Sequence, residues 1–212
     1  GGAFRRGRFV NTRIGIIDYQ CGNRRNIQRG IEANGDTAII SGDTTELSRC
    51  DKLVLPGVGA FQECWRQLSR QFGDALRPLL ADKPVLGICI GMQILFESSL
   101  EHGRHPGLGL LMGRVEKIQT QGAPVPHVGW NQLSILKGRD TLFRGIPDGS
   151  HYYFTHSYHC VPDDDHLVAA TSHYEGSIVT AIIHDNLYAT QFHPEKSQYL
   201  GLKVLENFVR YC

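Results

Sequence analysis

Gly87-Ile88-Cys89-Ile90-Gly91 follows the apolar run Pro84-Val85-Leu86 and precedes residues 92–97, which have the apolar spacing of a helix. The pattern predicts a strand that turns sharply into a helix with a cysteine at the corner, as in the strained G-x-S-x-G elbow. Glycines on either side let the backbone pass through such a turn, and the start of a helix favours a thiolate. Taken alone, the pentapeptide also fits a buried structural cysteine in a glycine-containing strand.

The segments on either side of this turn alternate between strand and helix patterns in the first half of the chain. Strands are predicted at residues 13–18, 37–40, 52–55 and 84–88, and helices at residues 23–34 and 61–81, with an interruption near Gly73 and Pro78. The alternation predicts an α/β fold, a three-layer sandwich whose mostly parallel central sheet carries helices on both faces. The second half predicts an additional antiparallel β section, with strands at 114–119, 132–136, 151–157, 167–174, 177–184 and 187–191 and a closing helix at 200–211.

Composition limits the function classes. The 212 residues carry a formal net charge of +1, which gives no electrostatic footprint for nucleic acid. No apolar run reaches the roughly 18 residues of a membrane helix, so we expect no membrane partner. The six cysteines show neither C-x-x-C spacing nor the density of a secreted disulfide scaffold, which predicts reduced thiols in a cytoplasmic protein.

The domain organisation is predicted to be simple. Residues 13–212 read as one domain, without an internal repeat or a low-complexity linker. Residues 1–12 contain several arginines and glycines and read as a vector-derived remnant or a flexible extension, with a transit-peptide remnant as the other interpretation.

A nucleophilic cysteine needs a base, and His193-Pro194-Glu195 is the strongest candidate to supply it. It follows a predicted strand, so it should reach the same sheet edge as Cys89. The proposed catalytic roles are Cys89 as thiolate, His193 as proton carrier and Glu195 as the group that holds the imidazole. The alternative is a strand-end histidine with a solvated glutamate nearby.

An oxyanion hole is also expected, because acyl transfer develops negative charge on the substrate oxygen. One candidate donor is the N–H of Ile90, which follows the nucleophile in the sequence. The other is the backbone of Gly57 and Val58 within Pro56-Gly57-Val58-Gly59, where the glycines permit a close approach or a peptide rotation. The alternative is an ordinary strand-end turn.

The histidine pairs His102/His105 and His156/His159 have a spacing that occurs in metal sites. No acidic or thiolate set completes either pair in the sequence, so we predict no metal and no other cofactor.

Several longer motifs resemble those of class I glutamine amidotransferases, and most closely the glutaminase subunits of imidazole glycerol phosphate synthases. The resemblance runs over about residues 14–208. It includes Gly87-Ile88-Cys89-Ile90-Gly91-Met92-Gln93, Leu55-Pro56-Gly57-Val58-Gly59-Ala60-Phe61, Pro126-His127-Val128-Gly129-Trp130-Asn131, Tyr152-Tyr153-Phe154-Thr155-His156-Ser157-Tyr158 and Thr190-Gln191-Phe192-His193-Pro194-Glu195-Lys196-Ser197. Because these motifs occur in the family's order, a chance match is excluded.

The resemblance implies that Cys89 attacks the side-chain amide of L-glutamine, forms a glutamyl thioester and releases glutamate and ammonia. It implies that the amino-acid end of glutamine is held by Gln93, Glu101, Ser157 and Tyr158. The ammonia would pass to a (βα)8-barrel cyclase subunit that makes imidazole glycerol phosphate and AICAR in histidine biosynthesis. The residues implied at or near this partner interface are Trp130, Asn131, Tyr153 and Lys196, of which the two aromatics are good interface anchors.

The first strand end departs from the family pattern, because Gln20 in Asp18-Tyr19-Gln20-Cys21-Gly22-Asn23 stands where a glycine is usual. Three alternative functions stay open at this point. They are a paralogous glutaminase that feeds another aminating enzyme, for example in surface-sugar synthesis, a cysteine peptidase of related fold, and a non-catalytic binding module.

Overall fold

A computed structural model describes residues 11–212, and an eight-stranded sheet forms its centre. The strand order is β2-β1-β3-β4-β14-β13-β12-β9. The first five strands in that order run parallel to one another, and the remaining three are antiparallel. The strands of this sheet are β1 (Arg13–Ile17), β2 (Thr37–Ser41), β3 (Lys52–Leu55), β4 (Val85–Ile88), β9 (Ser134–Ile135), β12 (Val168–His173), β13 (Ser177–His184) and β14 (Leu187–Thr190).

Six α-helices accompany the sheet in the described part of the chain, and those before Cys89 connect its parallel strands. The six helices are α1 (Arg24–Glu32), α2 (Thr44–Ser48), α3 (Phe61–Phe72), α4 (Leu76–Ala81), α5 (Ile90–Ile94) and α6 (Gln198–Tyr211). The chain crosses the sheet in one direction through α1 and in the opposite direction through α2, α3 and α4. Because parallel crossovers are right-handed, these two groups of helices lie on opposite faces. The last helix, α6, packs against α1.

Two small sheets occupy the second half of the chain. One pairs β8 (His127–Gln132) with β10 (His151–His156) in antiparallel register. The other has the order β11-β7-β5-β6, formed by β11 (Tyr158–Pro162), β7 (Leu111–Lys117), β5 (Phe96–Ser99) and β6 (His105–Pro106). The predicted α/β class, with a mostly parallel sheet, flanking helices and an additional antiparallel section, is therefore confirmed.

Some element boundaries differ from the prediction. The helix after Cys89 ends at Ile94, and the chain turns into β5 instead of remaining helical to residue 97. Pro78 does not interrupt a helix, because it lies in the first turn of α4, where its missing N–H has no intrahelical partner to lose. The short helix α2 was not predicted, although Asp43 caps it by accepting hydrogen bonds from the N–H groups of Thr45 and Glu46.

The first predicted segment, residues 1–12, lies almost entirely outside the described residues, so its character stays a prediction. Within residues 11–212, no helix is both long and apolar enough to cross a membrane.

Candidate active site

Cys89 lies between β4 and α5 with backbone angles of φ 54° and ψ −111°. These angles are sparsely populated for a residue with a side chain and persist only where the surroundings hold them. The Cys89 N–H donates to the Thr190 carbonyl at 2.8 Å, which fixes the turn to the end of β14. The cysteine is therefore held in the strained strand-to-helix elbow that the sequence predicts.

The two flanking glycines are required by close backbone contacts. A Cβ atom on Gly91 would lie 1.9 Å from the Leu55 carbonyl oxygen, and a Cβ on Gly87 would lie 2.9 Å from the Gly91 carbonyl oxygen. The elbow thus packs directly onto the end of β3. This contact brings the Cys89 turn against the segment that begins at Pro56.

His193 and Glu195 form a buried pair beside Cys89. The Nδ1 atom of His193 lies 2.6 Å from Glu195 Oε1, and each side chain is 1% exposed. Asn23 adds a second contact, because its Nδ2 donates to the same carboxylate oxygen at 3.3 Å. The sequence suggested Asn23 as a cap for α1, but its side chain makes no cap hydrogen bond. Asn23 instead links the end of the first strand to Glu195 of the His193–Glu195 pair.

The pKa of His193 is raised to about 10. Burial acts to lower this pKa, but the Cys89 sulfur and the Glu195 carboxylate outweigh it. Nε2 of His193 is buried and makes no hydrogen bond of ordinary length with residues 11–212. The imidazolium form is therefore favoured, with its free N–H available to a thiolate or to substrate.

The segment Pro56-Gly57-Val58 is held at each of its carbonyl groups. The Tyr19 hydroxyl donates to the Pro56 carbonyl, the Ile90 N–H donates to the Gly57 carbonyl at 3.2 Å, and the Cys64 thiol donates to the Val58 carbonyl at 3.2 Å. The N–H of Ile90, one of the predicted oxyanion donors, is thus already bonded to the Gly57 carbonyl. We call this stretch the Pro56–Val58 segment.

A cavity of about 320 Å³ opens above Cys89. Its walls include every substrate-contact residue predicted from the sequence, which are Gln93, Glu101, Ser157 and Tyr158, together with Asn23, Val58, His193 and Lys196. Glu101 is anchored at this wall because the Phe61 N–H at the start of α3 donates to its Oε2 at 3.1 Å. The cavity has the chemistry to receive a small zwitterionic molecule.

Gln191 also reaches the sulfur, although the sequence did not single it out. Its Nε2 lies 3.5 Å from Cys89 Sγ, and its Oε1 accepts a hydrogen bond from Gln93 Nε2 at 3.2 Å. Gln191 lies two residues before His193, at the end of the strand whose pattern was used only to place the histidine. The signal that could have found it is its position at the same sheet edge as Cys89.

Three of the four residues predicted at a partner interface form one surface group. The Trp130 ring, 48% exposed, stands edge-on to the Tyr153 ring at 6.0 Å between centroids, and Lys196 Nζ lies 5.9 Å from the Tyr153 centroid. We call these three residues the aromatic–lysine cluster. Asn131 lies next to Trp130, but its side-chain amide is bonded within the chain, to the His173 carbonyl at 3.0 Å.

The short 3-10 helix Pro194–Lys196 carries one residue of the buried pair beside Cys89 and one residue of the aromatic–lysine cluster. Its Glu195 side chain is buried against His193, whereas the next residue, Lys196, is exposed and belongs to the aromatic–lysine cluster.

The histidine pairs considered as metal ligands have other contacts. His105 Nε2 lies 2.8 Å from the His102 carbonyl, and both ring nitrogens of His156 are within 2.9 Å of polar atoms of His127 and Tyr158. In the part of the chain that the structure describes, no group of three or more His, Cys, Asp or Glu side chains is placed to hold a metal ion.

Comparison of the sequence with known proteins identifies close relatives. Residues 15–212 match the family Glutamine amidotransferase class-I. The chain is 46% identical over 205 residues to the imidazole glycerol phosphate synthase subunit HisH of Syntrophotalea carbinolica, covering 92% of this chain and 98% of the relative. It is also 46% identical over 197 residues to HisH of Methanocaldococcus jannaschii, with the same coverage of 92% and 98%.

Solved structures show the same fold. A protein from Thermoplasma acidophilum, described as a GMP synthase subunit, superposes with a TM-score of 0.72 and 25% identity, covering 94% of this chain and 93% of that chain. PurLQS from Thermotoga maritima superposes with a TM-score of 0.69 at 20% identity, covering 95% and 99%, and so shares the fold. The resemblance predicted from the motifs is confirmed, and the chain belongs to the class I glutamine amidotransferase family.

Proposed function

We propose that the chain is the glutaminase subunit of an imidazole glycerol phosphate synthase and hydrolyses L-glutamine to glutamate and ammonia. One observation carries the proposal. A cysteine at a strained elbow lies beside a buried His193–Glu195 pair, in a chain that is 46% identical to curated HisH subunits. This geometry supports the proposed catalytic roles of Cys89, His193 and Glu195.

In the first step the Cys89 thiolate attacks the side-chain amide carbon of glutamine and forms a carbon–sulfur bond. The carbon–nitrogen bond then breaks, and the His193 imidazolium gives its proton from Nε2 to the departing amine, which leaves as ammonia. The product is a glutamyl thioester on Cys89. Glu195 keeps the imidazole in this orientation through its contact with Nδ1.

In the second step a water molecule attacks the thioester carbon while neutral His193 accepts one of its protons. The carbon–sulfur bond breaks, the thiolate returns and the new γ-carboxylic acid gives the remaining water proton to solvent as glutamate leaves. Over both steps, glutamine and water give glutamate, ammonia and one proton, and His193 has lost and regained one proton.

The amino-acid end of glutamine would be bound on the opposite wall of the cavity. Glu101 supplies a carboxylate for the substrate ammonium, and it is already oriented by the Phe61 N–H. Ser157 and Tyr158 also line the cavity, and the Gln93 amide donates to the Tyr158 carbonyl at 3.2 Å. The same small cavity would thus hold both ends of the substrate.

The oxyanion hole would be completed by a rotation of the Gly57–Val58 peptide. In the structure the Gly57 carbonyl takes the Ile90 N–H, so this donor is blocked to a substrate oxygen. Rotation would withdraw the carbonyl and turn the Val58 N–H toward the developing charge, so that Ile90 and Val58 could both donate. The chain alone would then be a poor glutaminase in spite of its assembled catalytic residues.

The ammonia acceptor would be a cyclase subunit with a (βα)8 barrel, docked on the aromatic–lysine cluster. The cluster is exposed, combines two aromatic rings with a cation and lies beside the cavity that contains Lys196. Asn131 would contribute to this interface chiefly by holding β8 in place. A cytoplasmic location is part of the proposal, in keeping with six unpaired cysteines.

The test is glutamine hydrolysis measured for the isolated chain, for its complex with a purified cyclase subunit, and for the complex with the cyclase's nucleotide ligand. We expect turnover to rise strongly across this series while KM changes little, because the added hydrogen bond acts mainly in the transition state. The rise in turnover must be accompanied by production of imidazole glycerol phosphate from glutamine. Ammonia transfer to a different acceptor enzyme, without transfer to the cyclase, would overturn the assignment.

A further inference from the structure

We propose that Gln191 is a positioning residue that donates a hydrogen bond to the Cys89 thiolate, and that Gln93 fixes the direction of this bond. The contact joins Gln191 Nε2 to Cys89 Sγ at 3.5 Å, and both residues are buried. The inference rests on the proposed function of Cys89 as nucleophile. It adds to the cavity a second donor to the sulfur, besides His193.

The direction of each amide follows from an acceptor that cannot donate. Gln93 Nε2 lies 3.2 Å from the backbone carbonyl of Tyr158, and a carbonyl only accepts, so this end of the Gln93 amide must be NH₂. The same NH₂ group lies 3.2 Å from the near end of the Gln191 amide, which must therefore be its oxygen. The other end of Gln191, facing Cys89, is then NH₂.

The Tyr158 carbonyl is itself held from the other side. His156 Nδ1 lies 2.8 Å from it and must be the protonated nitrogen, so His156 Nε2 accepts from His127 Nδ1 at 2.9 Å. His127 Nε2 then accepts from Asn131 Nδ2 at 3.3 Å. Burial lowers the pKa of His156 to about 3 and also lowers the pKa of His127, so both rings remain neutral and keep these tautomers near neutral pH.

Other titratable groups near Cys89 do not take over this role. Tyr19, Cys64 and Cys160 lie within electrostatic range of the sulfur. Burial raises the pKa of Tyr19 and Cys160, and a hydrogen bond with Cys21, together with burial, raises the pKa of Cys64. All three stay protonated near neutral pH and so place no negative charge beside the thiolate, and the Tyr19 hydroxyl and the Cys64 thiol already donate to the carbonyls of Pro56 and Val58.

The hydrogen bond from Gln191 favours the deprotonated form of Cys89. An N–H donor stabilises a thiolate more than a thiol, because hydrogen bonds to charged acceptors are the stronger ones. The Gln191 amide is neutral, so it can stabilise the thiolate without competing with His193 for a proton. Gln191 directly follows β14, and its contact with the sulfur restricts the direction from which the thiolate attacks.

The test is the pH dependence of alkylation at Cys89 in the full chain, with iodoacetamide as probe and peptide mass spectrometry to separate Cys89 from the other cysteines. Gln191→Met keeps the length of the side chain and removes the donor. We expect the alkylation midpoint to rise by about one pH unit, equivalent to about tenfold in the thiolate equilibrium. Gln191→Glu keeps the acceptor for Gln93 but places a carboxylate at the sulfur, so we expect a larger rise.

Gln93→Met supplies a graded comparison, because it leaves the Gln191 donor in place but removes the group that orients it. We expect a shift in the same direction that is smaller than the shift in Gln191→Met. In the complex with the cyclase, kcat for glutamine should fall about tenfold in Gln191→Met, with ammonia-dependent synthesis unchanged.

An unchanged alkylation midpoint in folded Gln191→Met, or in Gln191→Glu if the Met variant does not fold, would overturn the proposal. That result is separate from the proposed function, which is tested by glutamine hydrolysis and ammonia transfer in the wild-type complex.

Discussion

The backbone N–H of Ile90 donates a hydrogen bond of 3.2 Å to the carbonyl oxygen of Gly57. A carbonyl of the chain thus occupies the place where the substrate's own carbonyl oxygen would need a donor. The bond joins the residue after Cys89 to the Pro56–Val58 segment, so in the proposed mechanism the oxyanion hole is completed only when this bond breaks. The free energy needed to break it depends on the contacts that hold the segment.

We expect Cys64→Ala to raise the glutaminase rate of the isolated chain severalfold. The substitution removes the thiol donor to the Val58 carbonyl, which belongs to the next peptide, and so frees the Val58 backbone to adjust when the Gly57–Val58 peptide rotates. A weak hydrogen bond of this kind is worth about 1 kcal/mol or less, which limits the gain to about fivefold. Steady-state ammonia release by the chain without cyclase measures it. Cys50→Ala is the matched control, because this buried cysteine bonds instead to the Glu46 carbonyl, and an equal effect of both substitutions would refute the explanation.

The catalytic residues should differ in importance. Cys89→Ser and His193→Ala should each lower glutamine-dependent synthesis by about 10³-fold or more while ammonia-dependent synthesis by the partner persists. Glu195→Gln should be less harmful, because Glu195 orients the imidazole and does not carry the proton. Paired assays with glutamine and with ammonium salt distinguish these outcomes. His166→Ala, at an exposed histidine, provides the control, and a benign His193→Ala would show that the wrong histidine was assigned.

Gly91→Ala should destabilise the protein by about 3 kcal/mol or more, because the added methyl would overlap the Leu55 carbonyl and push the elbow away from β3. Gly176→Ala is the matched control, since no atom lies within 4 Å of the position of its Cβ. Its effect should stay within about 0.5 kcal/mol. Urea unfolding of both variants provides the comparison, and equal midpoints would contradict the described packing.

Removal of the Cys89 sulfur should lower the pKa of His193. In the wild type His193 remains an imidazolium through neutral pH, because its pKa is raised to about 10 by Cys89 and Glu195 against the effect of burial. In Cys89→Ala one of the two stabilising partners is lost, so the proton should leave at lower pH. Nitrogen chemical shifts of the labelled imidazole between pH 5 and 10 follow the titration. Cys160→Ala should leave it in place, and superimposable curves for all three proteins would exclude an ion pair with Cys89.

Gln20→Gly should stabilise the protein by up to about 1 kcal/mol. Gln20 has a φ of 71°, in the left-handed region that favours glycine. Part of the gain is offset, because glycine also gives the unfolded chain more freedom. Thermal unfolding measures the change, with Gln62→Gly in α3 expected to be destabilising as the opposite case. A loss of stability in Gln20→Gly would contradict the assigned backbone conformation.

The sequence was most informative at positions where the backbone conformation or burial permits only a few residue types. The elbow around Cys89 and the alternation that builds the parallel sheet were predicted correctly, because a crowded turn demands glycines and buried strands demand continuous apolar runs. Gln20 differs from these cases. It has the positive φ that favours glycine, although its side chain is not glycine.

Two contacts between residues distant in the chain were not predicted from the sequence. Asn23 and Glu195 are 172 positions apart, and Gln191 and Cys89 are 102 apart. Neither amide belongs to a local pattern that would distinguish a functional residue from a helix cap or a buried strand end. Only the register of β14 beside β4, and the place of the first strand end next to them, brings these side chains to the same cavity.

The 3-10 helix Pro194–Lys196 sets an inward carboxylate and an outward ammonium on consecutive residues, Glu195 and Lys196. A single peptide unit is rigid, so a displacement of Lys196 by a docked protein would also displace the carboxylate that steadies His193. In the proposed complex, a change in the contact between Lys196 and the partner would therefore also change the turnover rate. Exchange of one cyclase for another during evolution would therefore be constrained at Lys196, and more freely accommodated at Trp130, which belongs to a strand that carries none of the reacting groups.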